Sequence, residues 1–341
     1  MTRILLVDVD SKIPNLALMK ISAYHKAHGD EVGFDVADPD RVVASVVFAE
    51  NRWKGSALRF MYPNATIEIG GPGYDLAATL PDEIERMKPD YDLYPDAAYS
   101  LGFTTRGCIR RCPFCIVPEK EGRFRRHQHI KEFHDDRFDT VVCLDNNVYA
   151  DPQWFFQNTD FVLEQGLRYN AVQGMDIRIL TEEIAGRLAD LKWSGQMHFA
   201  FDSIQDEGAV RKGIQMLQDA GIRTRHDVSV YVLVGFDSTP EEDLRRCEIL
   251  KEIGATPFIM QYRRTAWTRK LARLNRPQIF WSCDLAEFAG GGHMTPDRIH
   301  CVDCRTGLAA PEWCRGCPHP IYDNRRGEWD WYCRQHSPTG I

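Results

Sequence analysis

Residues Gly107-Cys108-Ile109-Arg110-Arg111-Cys112-Pro113-Phe114-Cys115 decide how the rest of the chain is read. Three thiols fall on one short loop with the spacing C-x3-C-x2-C. Thiolates are soft ligands, and three on one loop suit three irons of a 4Fe–4S cluster, whose usual complement is four cysteines. One iron is then left without a protein ligand, and an open coordination position goes with reactivity more than with scaffolding. Arg110 and Arg111 would offset the negative charge of thiolates and sulfides. The same trio also admits a zinc site completed by a distant residue such as His127, or three thiols with no shared ligand.

Outward from this loop, short apolar stretches recur. Leu101–Thr105 leads into it, and Thr140–Leu144, Ala171–Ile179, Met197–Phe201, Val228–Val234 and Pro257–Gln261 come after it. Helical patterns separate them. Asp151-Pro152 supplies an N-cap and a first-turn proline, Thr239-Pro240-Glu241-Glu242 a capping box, and a last helix is predicted over 266–274. The rhythm predicts a partial (β/α)6, TIM-like barrel of parallel strands over residues 98–280. In such folds chemistry sits at the C-terminal ends of the strands. Polar residues fall there: Asp145-Asn146-Asn147, Asp176, Arg178, Asp202, Asp237, Gln261 and Arg263. Any one of them is also what a strand end meeting solvent would show. Their recurrence beside a cysteine trio is what points to a site.

Residues 1–97 read as a smaller α/β unit of the flavodoxin or cobalamin-domain kind. Strands are expected at 4–9, 42–48 and 65–69, with a helix at Leu16–Ala27 and glycines at 70, 71 and 73. Pro81, Pro89 and Pro95, with acids between them, mark a connection. Residues 281–341 lose the periodicity and hold six of the 11 cysteines. There Cys301-Val302-Asp303-Cys304 and Cys314-Arg315-Gly316-Cys317 pair as two C-x2-C knuckles, the spacing of structural zinc or of an auxiliary iron–sulfur cluster. Cys333, His300 and His319 are possible substitutes. Cys143, Cys247, Cys283 and Cys333 lie apart from either group and are expected as buried small apolar residues.

Composition narrows the classes. The chain has 341 residues, 43% of them hydrophobic and 27% charged, which excludes wholesale disorder. An odd, clustered cysteine set without a secretory leader points away from a disulfide framework and toward the cytoplasm. No apolar run is long enough to span a bilayer, and Ile4–Val7 is broken at once by Asp8. A net charge of −7 argues against a uniformly basic nucleic-acid coat. Two local basic stretches, Arg123–His127 and Tyr262–Arg276, are read either as a nucleic-acid surface beside Trp329-Asp330-Trp331-Tyr332 or as arginines neutralising cofactor charge.

The trio, the aromatic Phe114 before its third cysteine, and its place after the first barrel strand resemble the signature of the radical S-adenosylmethionine (radical SAM) superfamily. The run Cys115-Ile116-Val117-Pro118-Glu119-Lys120-Glu121-Gly122 is similar to the segment after the trio in methylthiotransferase-like members. The resemblance implies that the open iron binds the amino and carboxylate groups of S-adenosylmethionine. It also implies that one electron, from a donor such as flavodoxin or ferredoxin, releases a 5′-deoxyadenosyl radical. Family members often hold the methionine amino group through Gly-Gly-Glu after the second strand; here Leu144-Asp145-Asn146-Asn147 stands instead. Val232–Gly235 resembles the segment that backs the adenine. Asp176 or Arg178 is placed to reach the methionine carboxylate or ribose, a barrel salt bridge being the other reading. The N-terminal unit resembles a cobalamin-binding domain but lacks its Asp-x-His-x-x-Gly motif, reading Asp8-Val9-Asp10-Ser11-Lys12-Ile13-Pro14, so a scaffold is favoured over bound cobalamin. Methylthiolation is disfavoured because that unit has no cysteine. The substrate, whether small molecule, peptide or nucleic acid, is left open, as is the choice among methyl transfer, other group transfer and rearrangement. The competing class is a non-enzymatic, zinc-stabilised nucleic-acid-binding protein whose trio holds a structural or redox cluster.

Overall fold

The structure is a computed structural model that describes residues 1–289. The chain divides into a unit spanning Met1–Ser282 and a second spanning Cys283–Ile341. The two C-x2-C knuckles predicted at 301–317 lie outside the described residues, as does Cys333.

The first unit opens with four parallel strands, β1 (Arg3–Asp8), β2 (Glu31–Gly33), β3 (Arg41–Ser45) and β4 (Thr66–Gly70), in the order β2-β1-β3-β4. Strand alternation sends Ile4 and Leu6 to one face and Leu5 to the other. Ile4 and Leu6 pack with Leu18, Met19 and Ile21 of helix Leu16–Ala27, while Leu5 packs with Val42, Ala44 and Leu58 of helix Arg52–Met61. Helices therefore cover both faces of the central strands, which is why β1 and β3 read as apolar runs, while the edge strand β4 alternates, with Thr66 and Glu68 exposed. The predicted helix at Leu16–Ala27 is present with those bounds, capped by Asn15, whose side chain accepts from the Leu18 amide.

Seven further parallel strands form two sheets. One is built from β5 (Ser100–Gly102), β8 (Thr140–Cys143), β9 (Arg168–Ala171) and β10 (Lys192–Trp193), in the order β10-β9-β8-β5. The other runs β11 (Met197–Ala200), β12 (Val228–Val234), β13 (Thr256–Gln261). A single bridge, Met175 to Phe199, joins the chain beyond β9 to β11. Helices Pro152–Glu164, Glu182–Asp190, Glu207–Asp219 and Pro240–Glu252 connect these strands, and the Asp151 cap and the Thr239–Glu242 capping box are both formed.

Three expectations need correction. The strand predicted at 171–179 is not formed: β9 lies just before it, at Arg168–Ala171, and Asp176 caps a 3-10 turn at Ile177–Ile179 by accepting from the Arg178 amide. Leu101–Thr105 is not one strand: it breaks after Gly102, and Thr105–Arg106 (β6) pairs instead with Arg125–Arg126 (β7) as a small antiparallel ribbon. The helix expected over 266–274 ends at Leu271 and continues as a 3-10 turn. Cys143 and Cys247 are buried as expected, whereas Cys283 is only half-buried. Among the described residues no helix is long and apolar enough to cross a membrane.

Candidate metal centre

The β6–β7 ribbon is the neck of the cysteine loop. Gly107 sits at its turn with φ +73°, and a Cβ there would collide with the Arg123 carbonyl, so the two strands close only around glycine. Cys108 bridges to Arg123 just inside. The neck is held from below by Asp145. Its carboxylate is buried and accepts from the Thr104 amide at 3.2 Å, the Thr104 hydroxyl at 2.8 Å, the Thr105 hydroxyl at 2.6 Å and the Thr105 amide. Burial pushes the Asp145 carboxyl up, and these threonine bonds work against that rise. Asp145 thus fixes the loop's entry through Thr104 and Thr105.

Beyond the neck, Cys108, Cys112 and Cys115 are free and half-buried. The Arg110 amide donates to the Cys108 sulfur at 3.3 Å, and the Cys115 amide donates to the Cys112 carbonyl at 3.0 Å, turning the loop. Asn147, buried, brings its side-chain nitrogen within 3.9 Å of the same Cys108 sulfur, while its side-chain oxygen is buried without a partner. Asn146 beside it is half-buried.

Arginines converge on the loop. Arg110 and Arg178 both grip Asp176, at 2.7 and 2.6 Å, and Arg178 also reaches Asp206 at 3.3 Å. Burial alone would raise the Asp176 carboxyl; the two guanidinium groups outweigh it and hold it below the usual carboxylate range. Burial pushes the Cys112 thiol up, and the Arg178 charge pulls it back, while Cys115, Asp202 and Cys108 add to the rise. The predicted pair Asp176 and Arg178 is a salt bridge tied to the loop through Arg110.

The aromatic side is also assembled. Phe114 meets Phe236 edge-on at 5.7 Å, and Phe236 meets Tyr262 at 4.9 Å. Gly235, just before Phe236, packs its backbone against Thr268 and Arg263. His127, by contrast, is turned away from the thiols and lies 3.3 Å from Glu85. Among the described residues no three His, Cys, Asp or Glu side chains converge as they would around one ion. A zinc site completed by His127 is not formed.

Two groups of residues were missed by pattern reading. Lys20, Glu85, His127, Gln128 and Arg106 make a polar cluster beneath the neck. Lys20, 1% exposed, donates to the Glu85 carbonyl, to its carboxylate at 3.3 Å and to Gln128 at 3.2 Å. Arg106 continues the chain of charge to Glu121 at 2.7 Å, inside the loop. The signal was present: Lys20 follows Leu16 by one helical turn and so falls on the apolar face. The second group is Arg246, wholly buried, which donates to the carbonyls of Phe201, Asp202 and Leu233 at 3.0, 2.8 and 2.9 Å and to Asp243 at 2.7 Å. It ties the end of β12 to the chain just past β11, beside Asp202. Asp243, Arg246, Cys247 and Leu250 share one helical stripe, so the pair was legible as buried.

The donor set is one of soft sulfur ligands with an amide donating to one sulfur, which suits a thiolate-bound metal. In the N-terminal unit, polar groups beyond β1 and β3 bond to one another: Asp8 accepts from Tyr94 at 2.6 Å, Asp10 from the Val47 and Phe48 amides at 2.7 and 3.0 Å, and Asn15 donates to Ser45 at 2.8 Å. Gly71 lies so close to Val46 that even a Cβ would collide with its backbone.

Fold and site together define a mixed α/β protein of parallel sheets, with three free thiols on one arginine-lined loop. No protein-family model matches the chain, and no curated protein matches it. Among solved structures, coproporphyrinogen III oxidase (HemN) from Escherichia coli, described as a radical SAM enzyme, is similar over 54% of this chain and 48% of its own, at 14% identity and a TM-score of 0.34. The chain spans about half the length of that protein, and a likeness of this size carries no argument about activity.

Proposed function

We propose that this chain is a radical SAM enzyme, with Cys108, Cys112 and Cys115 ligating a 4Fe–4S cluster and β5, β8, β9, β11, β12 and β13 forming a partial barrel around the substrate. The carrying observation is the pinned loop of three free thiols, with the Arg110 amide on one sulfur and the Arg110 and Arg178 side chains both on Asp176. A cluster held by these thiols would supply one-electron reductive cleavage of S-adenosylmethionine, and with it hydrogen abstraction from the substrate.

The chain's own residues bind, orient and exclude water. Gly107 and Asp145 fix where the loop leaves the sheet, and so where its thiols start from. The orphaned Asn147 oxygen, buried by the Cys108 sulfur, is an acceptor for the methionine ammonium. Arg178 and Arg110, both on Asp176, are the cations for the methionine carboxylate. Phe114, Phe236 and Tyr262 form an apolar edge that suits the adenine, with Gly235 at its foot. Cys301, Cys304, Cys314 and Cys317 hold a second metal, zinc or an auxiliary cluster, a reading supported by their spacing. Group transfer, methyl transfer included, and rearrangement are the reaction classes this front half serves.

Anaerobic reconstitution followed by reduction tests the reading. The wild type is expected to cleave S-adenosylmethionine to 5′-deoxyadenosine, and Cys112→Ala to lose that activity and its cluster while keeping the metal of the C-terminal knuckles. A wild type that binds iron but never cleaves S-adenosylmethionine overturns it.

A further inference from the structure

Helix Arg52–Met61 is amphipathic the wrong way round. Its core side is Gly55 and Leu58, whereas Trp53, Phe60 and Met61 are 66%, 88% and 65% exposed. Trp53, Ala57 and Phe60 recur at i, i+4 and i+7, so they form one outward stripe. A groove lined by Glu50, Trp53, Ser56, Ala57 and Phe60 runs along it. Exposed apolar stripes of this kind mark interaction surfaces. Three cations, Arg52, Lys54 and Arg59, belong to the helix and no acid does, in a chain whose net charge is −7. A chain of contacts links the helix to the segment after the cysteines. Arg52 lies over the Tyr74 ring at 5.1 Å, and the segment just after Tyr74 offers the carbonyls of Leu76 and Ala78 to Lys120 of the loop, at 3.1 and 2.6 Å.

We infer that this face docks an acidic one-electron carrier protein, an inference that rests on the function proposed above. That function needs one electron from outside: the carrier is oxidised by one electron, the cluster is reduced by one, and no atom moves. Redox encounters use the smallest interfaces, a size that one helix face supplies, and charge of opposite sign steers them. Two copies of this chain would set six cations face to face, which charge opposes.

Reduced flavodoxin is the probe, titrated calorimetrically against the protein as purified. Binding is expected to weaken with salt, and to weaken about tenfold or more in a Trp53→Ala/Phe60→Ala double variant and in Lys54→Glu/Arg59→Glu, all melting like the wild type. In the reconstituted protein, bleaching of cluster absorbance by flavodoxin is expected to slow in the same variants, with reduction by dithionite unchanged. Equal flavodoxin binding in wild type and variants overturns the inference, as does an equal loss of reduction by dithionite. So does an effect of these substitutions confined to self-association or to phosphatidylserine vesicles. A wild type that binds flavodoxin through this face but never cleaves S-adenosylmethionine removes the function reading and leaves the docking face standing.

Discussion

Glu85 is held by residues from three parts of the chain: Lys20 on the first helix, Arg106 on the neck, and His127 just past it. Burial alone would raise its carboxyl. The His127 bond and the charges of Lys20 and Arg106 outweigh that and hold it at about 2, against an ordinary 4.5. The unfolded chain therefore binds the proton more tightly between these values, and stability rises with pH across the interval. This contribution, on the order of 2–3 kcal/mol, is fully present above pH 4.5 and lost as pH falls toward 2. Denaturant unfolding at pH 3 and pH 6 should show that Glu85→Gln loses less stability on acidification than the wild type does. Lys20 and Glu85 lie 65 positions apart, so a pattern reading finds Lys20 misplaced on an apolar face but not the carboxylate that excuses it.

At the scale of elements, two features hold the loop and the strand ends, and each makes a prediction. Gly107→Ala puts a Cβ onto the Arg123 carbonyl at positive φ, a strain of about 1–2 kcal/mol or more confined to the neck. The variant should melt close to the wild type and yet hold less iron after reconstitution, measured as iron per chain. Arg246→Met leaves Asp243 buried without its guanidinium and three strand-end carbonyls without a donor. It should cost about 3–5 kcal/mol by denaturant unfolding, with Arg246→Lys recovering only part because one ammonium cannot span the same acceptors. Strand β12 and the capping box after it were legible, since a long apolar run and Thr-Pro-Glu-Glu are strong local signals. The turn at Ile177–Ile179 was not. Asp176 satisfies the backbone there by its own side chain, overriding the apolar run that reads as a strand.

At the scale of the molecule, the N-terminal sheet and the strands after it are one structural body. Leu16, on the first helix, is buried with Leu101 of β5 and Val142 of β8, and Tyr91 of the connection donates to the Phe133 carbonyl at 2.6 Å. A chain beginning at residue 98 would expose those side chains and leave Glu85's cations unpaired. It is expected to be insoluble or to lack cooperative unfolding, as checked by circular dichroism against the full chain.

By itself the sequence determined the local terms: the thiol spacing, the helix caps, the apolar strands and the absence of a histidine after the first of them. These depend on residues within a few positions of one another, where propensity, periodicity and ligand chemistry act directly. Only the tertiary structure decided what the charged and polar residues do. It turned His127 from the thiols to Glu85, tied Arg178 and Arg110 to Asp176, engaged Asp145 in the loop's neck, and left Trp53 and Phe60 facing out. Charges and hydrogen bonds join residues far apart in sequence, and burial sets their strength, so their partners exist only once the chain is folded.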